Sequence, residues 1–123
     1  MNLIEGQVLT EQARLIKRTD EIDLMRWIIS VCEAGMARMY EYSLPGKTEQ
    51  EIWAELHYEN TRSGGEWLET RLLAVGQRTN PWFQECSDHI AQTGDMLAFD
   101  TDMIGPYGYC ADLSRSWTIG LHA

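Results

Sequence analysis

The chain has 123 residues, of which 44% are hydrophobic and 24% charged, a composition typical of one soluble globular domain. Its 19 acidic side chains outnumber its 10 basic ones, which argues against a nucleic-acid partner because such proteins need basic surfaces. No stretch approaches the roughly 20 apolar residues of a membrane-spanning helix, and the first residues lack the apolar core of a secretory signal. We therefore expect a cytoplasmic protein without a membrane partner.

The three cysteines, Cys32, Cys86 and Cys110, are far apart in the sequence and odd in number. This pattern argues against a disulfide framework and against a thiolate zinc site, both of which use paired or closely spaced cysteines. We expect reduced thiols, as in a cytosolic protein.

The first part of the chain predicts helices. A short amphipathic segment over Thr10–Lys17 precedes a long helix that Thr19 or Asp20 can cap and that ends before the Pro45-Gly46 pair. Apolar residues in this helix recur at steps of three and four, which predicts one buried face. These residues are Ile22, Met25, Ile29, Cys32, Met36 and Met39.

A second helix is predicted to begin at a capping box, in which Thr48 is followed three residues later by Glu51. It ends before Gly64-Gly65. Three strands are then predicted over Trp67–Val75, Met96–Met103 and Tyr107–Ile119, the last two joined by a turn at Gly105-Pro106. Helices followed by strands favour an α+β fold in which two helices pack on an antiparallel β-sheet, within one domain over residues 1–123.

Three aspartates carry the chemical signal. Residues i and i+2 of a strand point to the same face, so Asp100 and Asp102 are predicted to project together. A turn at Gly105-Pro106 would bring Asp112 back beside them. Three carboxylates form a hard, oxygen-rich site that suits a divalent metal ion. The alternative is that they are solvated residues of an acidic hairpin, although an aspartate that follows the apolar run Met96–Phe99 needs a partner.

The segment that contains these aspartates, FDTDMIGPYGYCADLSRSWTIG, resembles the first metal-binding block of the methionine aminopeptidase/creatinase superfamily, the pita-bread metalloenzymes. The matching elements are Asp100, Gly108-Tyr109, Asp112 and the run Ser114-Arg115-Ser116. Upstream, the start of the long helix and the segment from Leu44 to Glu49 also fit. The resemblance covers nearly the whole chain and implies half of a pita-bread fold, the N-terminal half of a catalytic domain.

Within that superfamily the chain most resembles the iron-dependent dimethylsulfoniopropionate lyases, through residues 64–86 and the FDTD doublet. The resemblance implies that Asp100, Asp102 and Asp112 bind a single metal, with iron favoured over manganese, cobalt or zinc. It implies that a histidine, two glutamates and the general base come from the later half. The whole enzyme would act on a small-molecule substrate by β-elimination, releasing dimethyl sulfide and acrylate, whereas this chain alone is expected to be inactive.

Peptidases of the superfamily carry a histidine near the position of Phe83, where this chain has Pro81-Trp82-Phe83. Trp82 and Phe83 are therefore candidate substrate-pocket residues, because aromatic rings attract a cationic sulfonium group. They could equally be core residues. A Xaa-Pro peptidase or creatinase-like hydrolase remains the alternative enzyme, and a non-catalytic binding module of the same fold is the alternative outside the enzymes.

A half domain would expose the apolar surface that its other half covers, so we expect two copies to pair as a homodimer. We also expect weak metal binding, since three carboxylates without the later ligands form an open site.

Overall fold

A computed structural model describes residues 4–120 of the chain. A short helix, α1 (Gln7–Ala13), precedes the long helix α2 (Thr19–Tyr42) and the helix α3 (Glu49–Arg62). The amphipathic segment was predicted over Thr10–Lys17, so α1 begins and ends earlier than expected. None of its side chains is buried, so tertiary packing does not fix its ends. Across the described residues, no helix combines the length and the apolar character needed to cross a bilayer.

Helix α2 has the predicted extent, but its buried face is rotated by one residue in its first half. Ile22 and Ile29, predicted to be buried, are 39% and 37% exposed, whereas Ile28 and Val31 are in the core. The observed N-cap is Arg18, one residue before the earlier of the two predicted caps, and its backbone N–H donates to Glu21 at 2.8 Å. From Cys32 onward the predicted residues Cys32, Met36 and Met39 are all buried.

The predicted capping box of α3 is confirmed. Thr48 Oγ1 accepts a hydrogen bond from the Glu51 N–H at 3.1 Å, and the Glu51 carboxylate accepts one from the Thr48 N–H at 2.9 Å. Helix α3 packs along α2, and together the two helices contribute much of the apolar core. The α+β fold class is confirmed, with helices packed against antiparallel strands.

Each of the three predicted strands is divided in two. The strands observed are β1 (Trp67–Leu68), β2 (Leu73–Val75), β3 (Met96–Asp100), β4 (Met103–Ile104), β5 (Cys110–Ala111) and β6 (Ser114–Thr118). They form two antiparallel sheets, ordered β1-β4-β5 and β2-β3-β6. Each predicted strand thus gives one piece to each sheet, and the interruptions fall at the same level. We call residues 69–72, 101–102 and 112–113 the break line.

Polar contacts connect the β1-β4-β5 sheet to the helices. The buried Asn60, near the end of α3, donates through Nδ2 to the Ile104 carbonyl at 3.1 Å. Tyr109 donates its hydroxyl to the Glu21 carboxylate on α2 at 2.8 Å. Gly105, in the predicted turn, lies so close to α2 that a Cβ there would be 2.7 Å from Ile28 Cγ2. These contacts fix the β4–β5 hairpin, and therefore the position of the break line.

Candidate metal centre

The three predicted aspartates come together at the break line. Asp100 is the last residue of β3, Asp102 lies between β3 and β4, and Asp112 lies between β5 and β6. One carboxylate oxygen from each residue can be chosen so that all three lie within 4.8 Å of one another. The structure therefore brings together the residues that the sequence singled out, at a point where neither sheet is continuous.

The geometric reason for this convergence differs from the predicted one. The FDTD doublet was expected to lie in one continuous strand, but β3 ends at Asp100 and Asp102 adopts a left-handed backbone with φ 38°. Few residues other than glycine adopt this region, although aspartate tolerates it better than most. A bend in the chain, rather than simple alternation along a strand, sets the direction of Asp102.

Thr101 holds the chain on either side of Asp112. Its side chain is fully buried, donates to the Ala111 carbonyl at 3.2 Å and accepts from the Leu113 N–H at 2.8 Å. These two partners flank Asp112, so one hydroxyl replaces the missing sheet hydrogen bonds on both sides of it. Asp112 therefore stays exposed next to Asp100 while its neighbours remain tied to the sheet.

Two hydroxyl groups hold the carboxylates of the doublet. Thr70 donates to Asp102 Oδ2 at 2.6 Å, and Ser114 donates to Asp100 Oδ1 at 2.9 Å. Ser114 lies directly across from Asp100 in the β3–β6 register. A hydrogen bond to an ionised acceptor is short and strong, so each contact restricts the rotation of its carboxylate.

The charges of the three aspartates repel one another. Hydrogen bonding to Asp100, then partial burial and the charges of Asp100 and Asp102, raise the pKa of Asp112. A cation placed among the carboxylates would remove this repulsion, and carboxylate oxygens are the donors that hard divalent ions prefer. The donor set of this chain therefore fits a divalent metal ion.

The two aromatic candidates, Trp82 and Phe83, lie outside the core. Trp82 lines a cavity of about 320 Å³ that also includes Ser114, the residue bonded to Asp100. Phe83 does not line that cavity; it is 70% exposed, with its ring centroid 5.9 Å from that of Trp82. Trp82 thus shares a cavity with the residue that is bonded to Asp100, and Phe83 lies next to Trp82.

Sequence reasoning missed the supporting hydroxyls. Thr70 lies within the strand predicted over Trp67–Val75, and Thr101 separates the two aspartates of the FDTD doublet. Ser114 entered only as part of a family motif. The available signal was a threonine between two aspartates directly after the apolar run Met96–Phe99, because a hydroxyl at the end of a buried strand needs a hydrogen-bond partner.

Comparison with known proteins supplies an independent line of evidence. The family model for metallopeptidase family M24 matches residues 23–123. The chain is 52% identical to the dimethylsulfoniopropionate lyase DddP of Roseovarius nubinhibens and 49% identical to that of Roseobacter denitrificans. Each match covers 96% of this chain and 28% of the relative, so the chain spans less than a third of the length of these lyases.

Among solved structures, the Xaa-Pro dipeptidase of Bacillus anthracis superposes with a TM-score of 0.84 at 26% identity. That match covers 98% of this chain and 33% of the dipeptidase. Known enzymes of two different activities thus contain a unit with the architecture described here.

Proposed function

Because the chain belongs to metallopeptidase family M24, we propose that it forms the metal-binding part of a dimethylsulfoniopropionate lyase. The observation that carries this proposal is the convergence of both aspartates of the FDTD doublet with Asp112. The resemblance to ordinary peptidases of the family implies that one aspartate of this strand binds metal, whereas the resemblance to the lyases implies that both do. The identity of 52% to a lyase of this name supports the same assignment.

In this proposal Asp100, Asp102 and Asp112 hold one divalent ion, with iron favoured and manganese, cobalt or zinc as alternatives. The bound metal would supply Lewis-acid polarisation of the substrate carboxylate, which acidifies the neighbouring C–H. The hydroxyls of Thr70 and Ser114 keep two of the carboxylates oriented before substrate arrives. A general base, expected outside these 123 residues, would take the α-proton as the C–S bond breaks, giving dimethyl sulfide and acrylate.

Trp82 is proposed to position the substrate sulfonium. Its ring lines the cavity beside Ser114 and is 37% exposed, so a ligand can reach it. A sulfonium cation is attracted to the face of an indole ring, an interaction worth about 0.5–2 kcal/mol depending on desolvation. The Phe83 ring lies next to the Trp82 ring and is assigned a smaller part in the pocket.

A Xaa-Pro peptidase is the second candidate, favoured by the fold match to a Xaa-Pro dipeptidase. Hydrolysis of an amide would require a group that handles the carbonyl region, for which family peptidases use a histidine near position 83. Here that position is Phe83, which has no proton to donate and cannot bind a metal. This difference makes the lyase the better-supported function.

A segment exchange tests the proposal. The matched segment of the Roseovarius nubinhibens lyase would be replaced by this chain, and the purified, iron-loaded chimera would be supplied with dimethylsulfoniopropionate. We expect dimethyl sulfide in the headspace by gas chromatography. The matched variant Asp102→Asn should lower the rate by more than about 100-fold, since it removes a ligand and not merely a supporting contact.

A folded, metal-containing chimera that hydrolyses Xaa-Pro dipeptides and releases no dimethyl sulfide would contradict the lyase assignment. The same assay with Trp82→Ala distinguishes a loss of substrate binding from a loss of metal. We expect KM to rise by about 3–30-fold, the equivalent of a lost cation–π contact, while metal content stays unchanged.

Assembly and location complete the proposal. Large apolar side chains are exposed, among them Ile90, Met96 and Phe83, and such a surface favours pairing of two copies. Light scattering should therefore give the mass of a homodimer, and a monomer across the micromolar range would contradict this. The three cysteines are free, in agreement with the cytoplasmic location proposed for the protein.

A further inference from the structure

The chain segment between β1 and β2 holds Asp102 at two points. The Thr70 hydroxyl donates to Asp102 Oδ2 at 2.6 Å, and the Glu69 backbone N–H donates to the Asp102 carbonyl at 3.0 Å. Two consecutive residues thus fix both the side chain and the backbone of the same aspartate. Neither of them lies in the segment that carries the aspartates, and both belong to the break line.

Asp102 needs this support more than the other two aspartates do. Its φ of 38° lies in the left-handed region, which costs an L-residue about 1–2 kcal/mol compared with extended backbone. It also lies between strands and has no place in either sheet ladder. Without the two hydrogen bonds, the backbone would relax towards the strand conformation and turn the carboxylate away from its neighbours.

Asp100 provides the internal contrast. It is the final residue of β3, where its backbone is paired with Ser114 on β6 and its N–H donates to the Leu72 carbonyl at 2.9 Å. The Ser114 hydroxyl is therefore an addition to a residue that the sheet already fixes. The Thr70 hydroxyl, in contrast, bonds to Asp102, whose backbone is not paired in either sheet.

We propose that Thr70 is a positioning residue for the metal centre. Its hydroxyl holds Asp102 Oδ2 and leaves Oδ1 available to a cation shared with Asp100 and Asp112. The inference rests on the metal site of the proposed function and adds to it a residue from outside the metal-binding block. Partner groups that orient a metal ligand typically change affinity by about 10–100-fold when they are removed.

The test compares four forms of this chain: the wild type, Thr70→Val, Thr70→Ser and Ser114→Ala. Valine keeps the volume of threonine and removes the hydroxyl, whereas serine keeps the hydroxyl. Mn²⁺ affinity is measured from the free-ion electron paramagnetic resonance signal, which reports weak as well as tight binding. Exchange of the Glu69 amide hydrogen is measured on the same samples without metal, and circular dichroism confirms that each variant is folded.

We expect Thr70→Val to weaken Mn²⁺ binding by about 10–100-fold, Thr70→Ser to stay within about 3-fold of the wild type, and Ser114→Ala to fall between them. We also expect the Glu69 amide to exchange faster in Thr70→Val, because the contact to the Asp102 carbonyl loosens. If Thr70→Val proves unfolded, Thr70→Ala replaces it with the same expectation.

Two failures are distinguishable. Wild-type affinity retained in a folded Thr70→Val variant would overturn the role of Thr70 and leave the metal centre standing. A wild type that binds no Mn²⁺ would overturn the metal centre itself, and the positioning role with it.

Discussion

The β2-β3-β6 sheet and the break line are built from adjacent residues of the same predicted strands, but they are stabilised in different ways. In the sheet, Leu97 and Phe99 are fully buried and backbone ladders satisfy the polar groups. At the break line, hydroxyl groups share that task with a few backbone contacts, and the Thr101 hydroxyl bridges the residues around Asp112. Two of the three carboxylates, those of Asp102 and Asp112, lie where the ladder is interrupted, so the apolar sheet supplies stability and the break line holds most of the candidate metal ligands.

The largest effect on stability is expected from a core substitution in the β2-β3-β6 sheet. Phe99 is fully buried and meets Trp117 edge-on at a centroid distance of 5.1 Å. Phe99→Ala should lower the free energy of unfolding by about 3–5 kcal/mol, measured by urea denaturation. Met96, on the same strand but 47% exposed, is the control, and Met96→Ala should cost less than about 1 kcal/mol. Equal costs at the two positions would contradict the assigned core.

A buried carboxylate outside the break line allows structural and metal-binding carboxylates to be compared. Glu49 is fully buried and accepts hydrogen bonds from the Val75 N–H at 2.8 Å, the Ser87 N–H at 2.8 Å and Arg78 Nε at 3.0 Å. Glu49→Gln should lower the free energy of unfolding by about 3 kcal/mol, because the amide keeps only one acceptor oxygen for these donors and leaves the Arg78 charge without its ionic partner.

The matched control for Glu49 is Glu33→Gln, at an exposed position of α2, which should change stability by less than about 0.5 kcal/mol. Both variants should leave Mn²⁺ affinity within about 3-fold of the wild type, since buried charge outside the break line is structural. A Glu49→Gln variant of normal stability and lost metal affinity would reverse this assignment.

The smallest effect on stability is a gain, which is expected from a substitution of Asp112. The carboxylate neighbours of Asp112 raise its pKa, so its ionised form is destabilised in the folded protein at neutral pH. Asp112→Asn should therefore raise the free energy of unfolding of the metal-free protein by about 0.5 kcal/mol, which is the scale of an interaction between exposed charges. The gain should shrink in 1 M NaCl, because salt screens the repulsion. A destabilised, salt-insensitive variant would show that Asp112 is a structural residue.

The sequence predicted the helices well because their signals are local. A threonine with a glutamate three residues later is enough to start α3, and the Thr48 and Glu51 contacts form as expected. The buried face of α2 was less certain, since residues one position apart are almost equally placed on a helix. Packing against α3 and the hairpin, which is not local, selects Ile28 over Ile29.

The break line could not be predicted from local pattern. Alternation of side chains continues through residues 101–102, so the FDTD doublet reads as uninterrupted strand. At the interruption, the Thr101 hydroxyl bonds to the Ala111 carbonyl and the Leu113 N–H in place of ladder contacts. Thr70 is 32 positions away from the aspartate that it holds. The identities of the aspartates were thus evident from the sequence, whereas the groups that orient them required the three-dimensional structure.

The measurement that tests the central claim most directly is calorimetric titration of this chain with Mn²⁺, beside the variant Asp100→Asn/Asp102→Asn/Asp112→Asn. We expect one ion per chain in the wild type, with a dissociation constant weaker than micromolar because the site is open. The triple variant, folded by circular dichroism, should show no binding. Binding of equal strength in both proteins, or none in the wild type, would contradict a metal centre at the break line.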